Sequence, residues 1–94
     1  MHSKDELMPK VIIPFACRHH TDDQHEINVN GENLEKIMEG LCRQHPGLKT
    51  ILDDSAMLSI FINSRLVTTG IEKWDAVSLN REDEIALIIP IAGG

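Results

Sequence analysis

Asn33-Leu34-Glu35-Lys36-Ile37-Met38-Glu39-Gly40-Leu41-Cys42 carries the sustained helical repeat of this sequence. Leu34, Ile37, Met38, Leu41 and Cys42 fall at i, i+3, i+4, i+7 and i+8, which lines them along one face of an amphipathic helix. Asn33 suits the N-cap, because its side-chain oxygen can accept one of the unpaired N–H groups of the first turn. Pro46-Gly47 ends the helix, since the residue before a proline is pushed out of the helical region. On both sides the pattern changes to alternation, the period of a strand.

Upstream, Val11, Ile13 and Phe15 alternate with Ile12 and Pro14, giving a strand apolar on both faces and hence interior to its sheet. Pro14 donates no ladder hydrogen bond, so the strand ends or bulges there. After a polar loop over residues 18–23, residues 24–29 place His25, Ile27 and Val29 on one face and Gln24, Glu26 and Asn28 on the other. This half-buried strand makes a hairpin with the first. Downstream of a loop around Asp53-Asp54-Ser55, Leu58, Ile60 and Ile62 alternate with Met57, Ser59 and Phe61. Asn63-Ser64 suits a tight two-residue turn into a short strand over residues 65–68. Ile71, Trp74 and Val77 recur at three-residue spacing, as a short helical turn closing one end of the core would require, and residues 80–83 form a polar turn. The last strand covers residues 84–90, with Ile85, Leu87 and Ile89 on one face and Ala86 and Ile88 on the other.

Two strands, one main helix and three further strands predict an α+β domain, a mixed sheet of about five strands curled around one main helix. The strand after the helix does not easily pair as a hairpin with the one before it, so a crossover and some parallel pairing are expected. This is the β-grasp arrangement. One helix covers one face of the sheet and leaves the other open to a partner. Residues 1–9 read as a polar, disordered leader, 10–90 as the domain and 91–94 as a flexible tail.

The 94 residues allow one small domain and rule out a two-domain enzyme. Hydrophobic residues at 41% and charged residues at 26% are those of a globular chain, not a disordered one. A net charge of −6 is the wrong sign for binding nucleic acid or an anionic membrane, and implies basic docking surfaces on protein partners. Aromatic content of 3% provides no platform for stacking bases. Cys17 and Cys42 stand apart without a CxxC, so no disulfide framework, zinc site or four-cysteine iron–sulfur cluster is indicated. Cys42 lies on the apolar helix stripe and is expected to be buried and inert. The stretch containing Cys17, His19, His20, Asp22 and Asp23 is rich in metal-ligand types but lacks a second pair at ligand spacing, and is read as a solvated loop; no metal is expected. With no apolar run near ~20 residues and no apolar signal region, the expected compartment is the cytoplasm.

The last residues hold the chemistry. Ile91, Ala92, Gly93 and Gly94 can extend at most ~13 Å, enough to carry a terminal carboxylate into another protein's cleft, and the two glycines leave its carbonyl approachable. At neutral pH that carboxylate is ionised and unreactive toward nucleophiles, so something else must activate it.

Val11-Ile12-Ile13-Pro14-Phe15, the helix begun by Asn33, residues 61–67 and above all Asp83-Glu84-Ile85-Ala86-Leu87-Ile88-Ile89-Pro90-Ile91-Ala92-Gly93-Gly94 resemble the ThiS/MoaD family of ubiquitin-like sulfur carriers. The resemblance implies a carrier without an active site of its own and without a bound cofactor. A ubiquitin-activating-type enzyme would use ATP to adenylate Gly94. A desulfurase or rhodanese-type sulfur donor would convert the adenylate to a thiocarboxylate, and a sulfur-acceptor synthase would consume it. Gly94 is then the attachment point, with Gly93, Ala92 and Ile91 granting access. By position, the family's apolar partner face maps to Pro14, Leu66 and Ile88, with Arg18 as a polar contact. Alternation agrees, since Pro14 and Ile88 point away from the face of Ile13 and Ile89. Arg81-Glu82-Asp83 departs from the family, which usually has a glycine before the last strand, and residues 70–79 have no clear counterpart. Ile13-Pro14 and the final five residues lean toward the cysteine-biosynthesis carrier over the molybdopterin-synthase small subunit. A protein modifier joined to lysines through Gly94, or a β-grasp module that never conjugates, remain the alternatives.

Overall fold

The computed structural model describes residues 8–53 and 58–89, with Ile51 and Leu52 described by backbone alone. The leader up to residue 7, the loop at Asp54-Ser55 and the tail from Pro90 to Gly94 lie outside the described residues. In chain order the elements are β1 (Lys10–Ile12), a 3-10 helix (Phe15–His20), β2 (Glu26–Asn28), α1 (Leu34–Gln44), α2 (Leu48–Asp53), β3 (Ser59–Ile62), β4 (Arg65–Leu66), 3-10 turns (Ile71–Ala76) and β5 (Glu84–Ile88).

The five strands form one sheet in the order β2-β1-β5-β3-β4. β1 runs antiparallel to β2, with Val11 opposite Ile27, and parallel to β5, with Val11 beside Ile85 and Ile12 beside Ala86. β3 pairs antiparallel with both β5 and β4, setting Ile60 opposite Leu87 and Phe61 opposite Leu66. The expected parallel pairing is present, and it joins the first strand to the last.

Helix α1 starts where the cap places it, since Asn33 Oδ1 accepts the Lys36 N–H at 2.8 Å. It ends with the His45 N–H on the Leu41 carbonyl at 2.9 Å. Leu34, Ile37, Met38 and Leu41 are buried against the sheet residues Val11, Ile27, Ile85 and Leu87. Gly40 is also buried, and a Cβ there would stand 2.7 Å from Val29 Cγ1. The glycine is what lets the helix close onto the end of β2.

Several expectations need correction. Strand β1 is shorter than the alternation predicted. Pro14, with no N–H to give, precedes a 3-10 helix whose Cys17 N–H bonds to the Pro14 carbonyl at 2.9 Å. Phe15 therefore leaves the strand parity that put it beside Val11 and Ile13 and is 80% exposed, while Cys17 fills the core position. His25 precedes β2 and is exposed. The loop of residues 18–23 is tightly bonded. Thr21, fully buried, has its hydroxyl 3.1 Å from both the Arg18 and Gln24 carbonyls, and its one proton serves either. Pro46-Gly47 ends α1 but is followed at once by α2, which alternation did not reveal. Cys42 is half-buried rather than buried. β4 stops at Leu66, two residues short of the expected end.

Asn63 and Ser64 take φ of 50° and 72°, the left-handed pair of a tight hairpin turn. Asn63 also locks that turn to the start of β5: its Nδ2 donates to Asp83 Oδ1 at 2.9 Å and its Oδ1 accepts the Glu84 N–H at 3.0 Å. Asp83 Oδ2 accepts the Asn80 N–H at 2.8 Å. The departure at Arg81-Glu82-Asp83 is thereby explained. None of the three needs positive φ, and the carboxylate closes the turn that a glycine would otherwise relax.

Candidate functional site

Side chains alternate across the sheet, so the register fixes which residues share the face that no helix covers. Leu66, Phe61, Ala86 and Ile12 lie in one row across β4, β3, β5 and β1, because each is paired with the next. Ile88 and Ser59 form the neighbouring row. Pro14 has the parity of Ile12 and lies beyond it, toward Ile88. Leu66 is 54% and Ile88 47% exposed, whereas Ile12, Phe61, Ala86 and Pro14 are half-buried. Phe61, Ser64, Glu84, Ala86 and Ile88 line a shallow depression of ≈ 390 Å³ on this face.

Arg18 is held at the end of β1. Its Nε donates to the Ile13 carbonyl at 3.2 Å, and its guanidinium carbon lies 5.6 Å from the centre of the Phe15 ring. The 3-10 helix thus presents an exposed aromatic ring with a cation stacked on it beside the apolar face. The structure brings Leu66 and Ile88 onto one surface, with Pro14 and Arg18 at its margin. Gly94, Gly93, Ala92 and Ile91 lie outside the described residues. Sequence reasoning missed Ile12, Phe61 and Ala86, whose strand parity matches that of Ile88 and Leu66, and Phe15, whose exposure depends on the 3-10 helix.

β5, the strand that leads to the tail, occupies the middle of the sheet with a partner on each side. It is hydrogen-bonded in ladders to both β1 and β3. The thiols are not poised for attack. Burial pushes the Cys17 pKa up, and burial likewise raises that of Cys42, with Lys49 lowering and Asp53 raising it further. Among the described residues no three His, Cys, Asp or Glu side chains gather as metal ligands, and no helix is long and apolar enough to cross a membrane. The His19 and His20 rings touch at a tilt of 41°, with centres 3.9 Å apart.

A five-stranded mixed sheet with parallel first and last strands, wrapped on one main helix and uncovered on its other face among the described residues, defines a ubiquitin-like β-grasp protein. The model of the ThiS family matches residues 11–94, and the chain belongs to that family of ubiquitin-like sulfur carriers. No curated protein matches the chain by sequence. Among solved structures, a chain of the Amycolatopsis orientalis BexX/CysO complex is similar with a TM-score of 0.76 at 22% identity, over 90% of this chain and 98% of that one. Mycobacterium tuberculosis CysO superposes with a TM-score of 0.73 at 20% identity, over 87% and 98%. The small archaeal modifier protein 1 of Methanosarcina acetivorans gives 0.65 at 24% identity, over 93% and 98%. These likenesses establish the shared fold.

Proposed function

We propose that the chain carries sulfur as a thiocarboxylate on Gly94 and delivers it to a synthase making a sulfur-containing metabolite such as cysteine or molybdopterin. An activating enzyme of the ubiquitin-activating type joins the Gly94 carboxylate to the α-phosphate of ATP, releasing pyrophosphate. Sulfide then displaces AMP; alternatively a donor persulfide does so and a second thiol reduces the resulting acyl disulfide. The carbonyl ends with sulfur where one oxygen stood. The chain contributes no acid, base or nucleophile of its own and acts as co-substrate, in keeping with small carriers of this family, which are generally not enzymes.

The observation that carries this reading is the family match running through to residue 94, over the one stretch with Gly-Gly after an apolar strand. The bare sheet face supports it. Leu66, Phe61, Ala86, Ile12 and Ile88 offer an apolar surface beside the strand that leads to the tail, so a partner seated there would receive Gly94 in its cleft. Pro14 and Arg18 lie at the edge of that contact.

The test is intact mass spectrometry after incubation with the activating enzyme of the same organism, ATP and a sulfide source. One oxygen should be replaced by sulfur, and deletion of Gly94 should abolish the change. An unaltered mass with an enzyme that does form the adenylate would overturn the proposal. Lysine conjugates in place of the mass change would assign the tail to protein modification instead.

A further inference from the structure

On the helix side of the sheet, away from Ile12, Ala86 and Ile88, α1, α2 and the 3-10 turns of residues 71–76 leave a groove of ≈ 400 Å³. Met38, buried, and Cys42, half-buried, form its floor on α1, and Trp74 and Ile71 form the facing wall. Ile71 is 55% exposed, an aliphatic side chain that the fold leaves in water at the groove's edge. The Trp74 Nε1–H is already bonded to the Thr69 carbonyl at 3.2 Å, so the indole offers the groove its ring. The rim is acidic on balance, with Glu35 and Glu39 on α1 and Asp53 on α2 against the lining ammonium of Lys49 and that of Lys36, which stands 3.9 Å from Glu39 Oε1 across the exposed side of α1. The Lys49 ammonium is engaged by Asp53 at 3.2 Å. From Glu35 to Cys42 the groove follows α1 for two turns, about 10 Å at ~1.5 Å per residue.

We propose that this groove docks a basic amphipathic helical segment of another protein. One or two of the segment's apolar side chains would sit between Met38, Cys42, Ile71 and Trp74, and its Lys or Arg side chains would meet Glu35 and Glu39. Helix-in-groove recognition places apolar anchors at i and i+3 or i+4, a spacing of about 5 Å that fits twice along the floor. Charge selects the partner: carboxylates flank an apolar floor, so a basic segment gains attraction where an acidic one meets repulsion. A small polar metabolite fits less well. Among the described residues nothing roofs the groove, and its carboxylates stand at the rim instead of converging inside. Because the groove and the bare sheet face lie on opposite sides of the sheet, both can be occupied at once.

Trp74 is the sole tryptophan of the chain, so its emission reports directly on the groove. The full chain would be titrated with three synthetic peptides. The first is helical, with Leu at i, i+3 and i+4 and Lys on its flanks. The second has the same composition scrambled, and the third has Glu in place of Lys. The first peptide should shift Trp74 emission to the blue, saturably and with affinity falling as salt rises, while the other two leave it unmoved. Ile71→Asp, at an exposed side chain, should weaken binding about tenfold or more, and Glu39→Lys should weaken it too. Leu66→Asp on the sheet face should leave the affinity unchanged. Thermal melts show whether each variant is folded, and Glu39→Lys decides the matter if Ile71→Asp is not. Failure of the Leu/Lys peptide to give a saturable shift overturns the proposal. So does equal binding by the scrambled peptide, or loss of binding in Leu66→Asp with Glu39→Lys unaffected.

Discussion

Replacing Ile88 by aspartate separates docking from folding. Ile88 lies on β5 with 47% of its surface in water, so the fold has used about half of what that side chain can contribute. Complete burial of an isoleucine is worth ~1.5–3 kcal/mol, which leaves roughly 0.7–1.4 kcal/mol for a partner that covers the face. Aspartate removes that contribution and adds a carboxyl group that, even once protonated to its neutral form, costs ~1–3 kcal/mol to desolvate without a hydrogen-bond partner. The sum, roughly 2–4 kcal/mol, corresponds to a loss of affinity of about 30- to 1000-fold. In the free protein the same change forfeits the half already buried, roughly 0.8–1.6 kcal/mol, and up to ~1 kcal/mol of strand propensity, so the urea midpoint should fall by an amount corresponding to about 1–2.5 kcal/mol while the protein stays folded. The assay is the dissociation constant for the activating enzyme by calorimetry, paired with the urea midpoint of each variant. Ile88→Val provides a graded check: it removes one methyl group, worth ~0.8 kcal/mol if fully buried, and should weaken binding about two- to fourfold. Wild-type affinity in a folded Ile88→Asp protein would refute the docking role of this face, as would a loss matched by unfolding.

Leu41→Ala, at a fully buried site under the sheet, should lower stability by about 2–5 kcal/mol and move the urea midpoint accordingly. Asn63→Ala should cost about 1–3 kcal/mol, because it forces a φ of 50° on alanine and strips Asp83 and the Glu84 N–H of a partner; Asn63→Gly should fall between it and wild type, since glycine restores the backbone freedom but not the two bonds. In the native state Cys42 should be alkylated before Cys17, which is 1% exposed, and unfolding should equalise the two. Both thiols are raised in the folded state, so the stability they contribute is complete below the unfolded thiol value of ~8.5 and is lost as pH rises through the folded value. The urea midpoint should therefore decline in alkaline buffer, less steeply in Cys17→Ala.

Legibility in the sequence followed the length of the pattern. The α1 stripe and its Asn33 cap were readable because a helix repeats its signal over several turns and its start has a specific side-chain chemistry. The Asn63-Ser64 turn was readable because few residue pairs tolerate left-handed backbone on both members. Ile88 and Leu66 were placed on the bare face by parity and position. Phe15 was misassigned by the same parity rule, which fails once Pro14 turns the chain into a 3-10 helix, and Cys17, grouped with a solvated loop, takes the core position instead. α2 carried too few turns to show a period, and Pro46-Gly47 marked only the end of the helix before it. The acidic groove was invisible because Cys42 and Trp74 are 32 positions apart in the chain and meet only after folding.

The sequence alone determined the order of the five strands and the main helix, the apolar last strand and the Gly-Gly to which it leads, because each of these is a local pattern of side-chain period or turn chemistry. Tertiary structure decided the rest. Parallel pairing of β1 with β5 put the tail-bearing strand in the centre of the sheet, a long-range contact that no local repeat encodes. The same pairing aligned Ile12 with Ala86 and, through β3, with Phe61 and Leu66, making one surface of four segments. A strand's alternation states that a residue has two faces to choose from, and only the packing of α1 on one side of the sheet decides which of them is left for a partner.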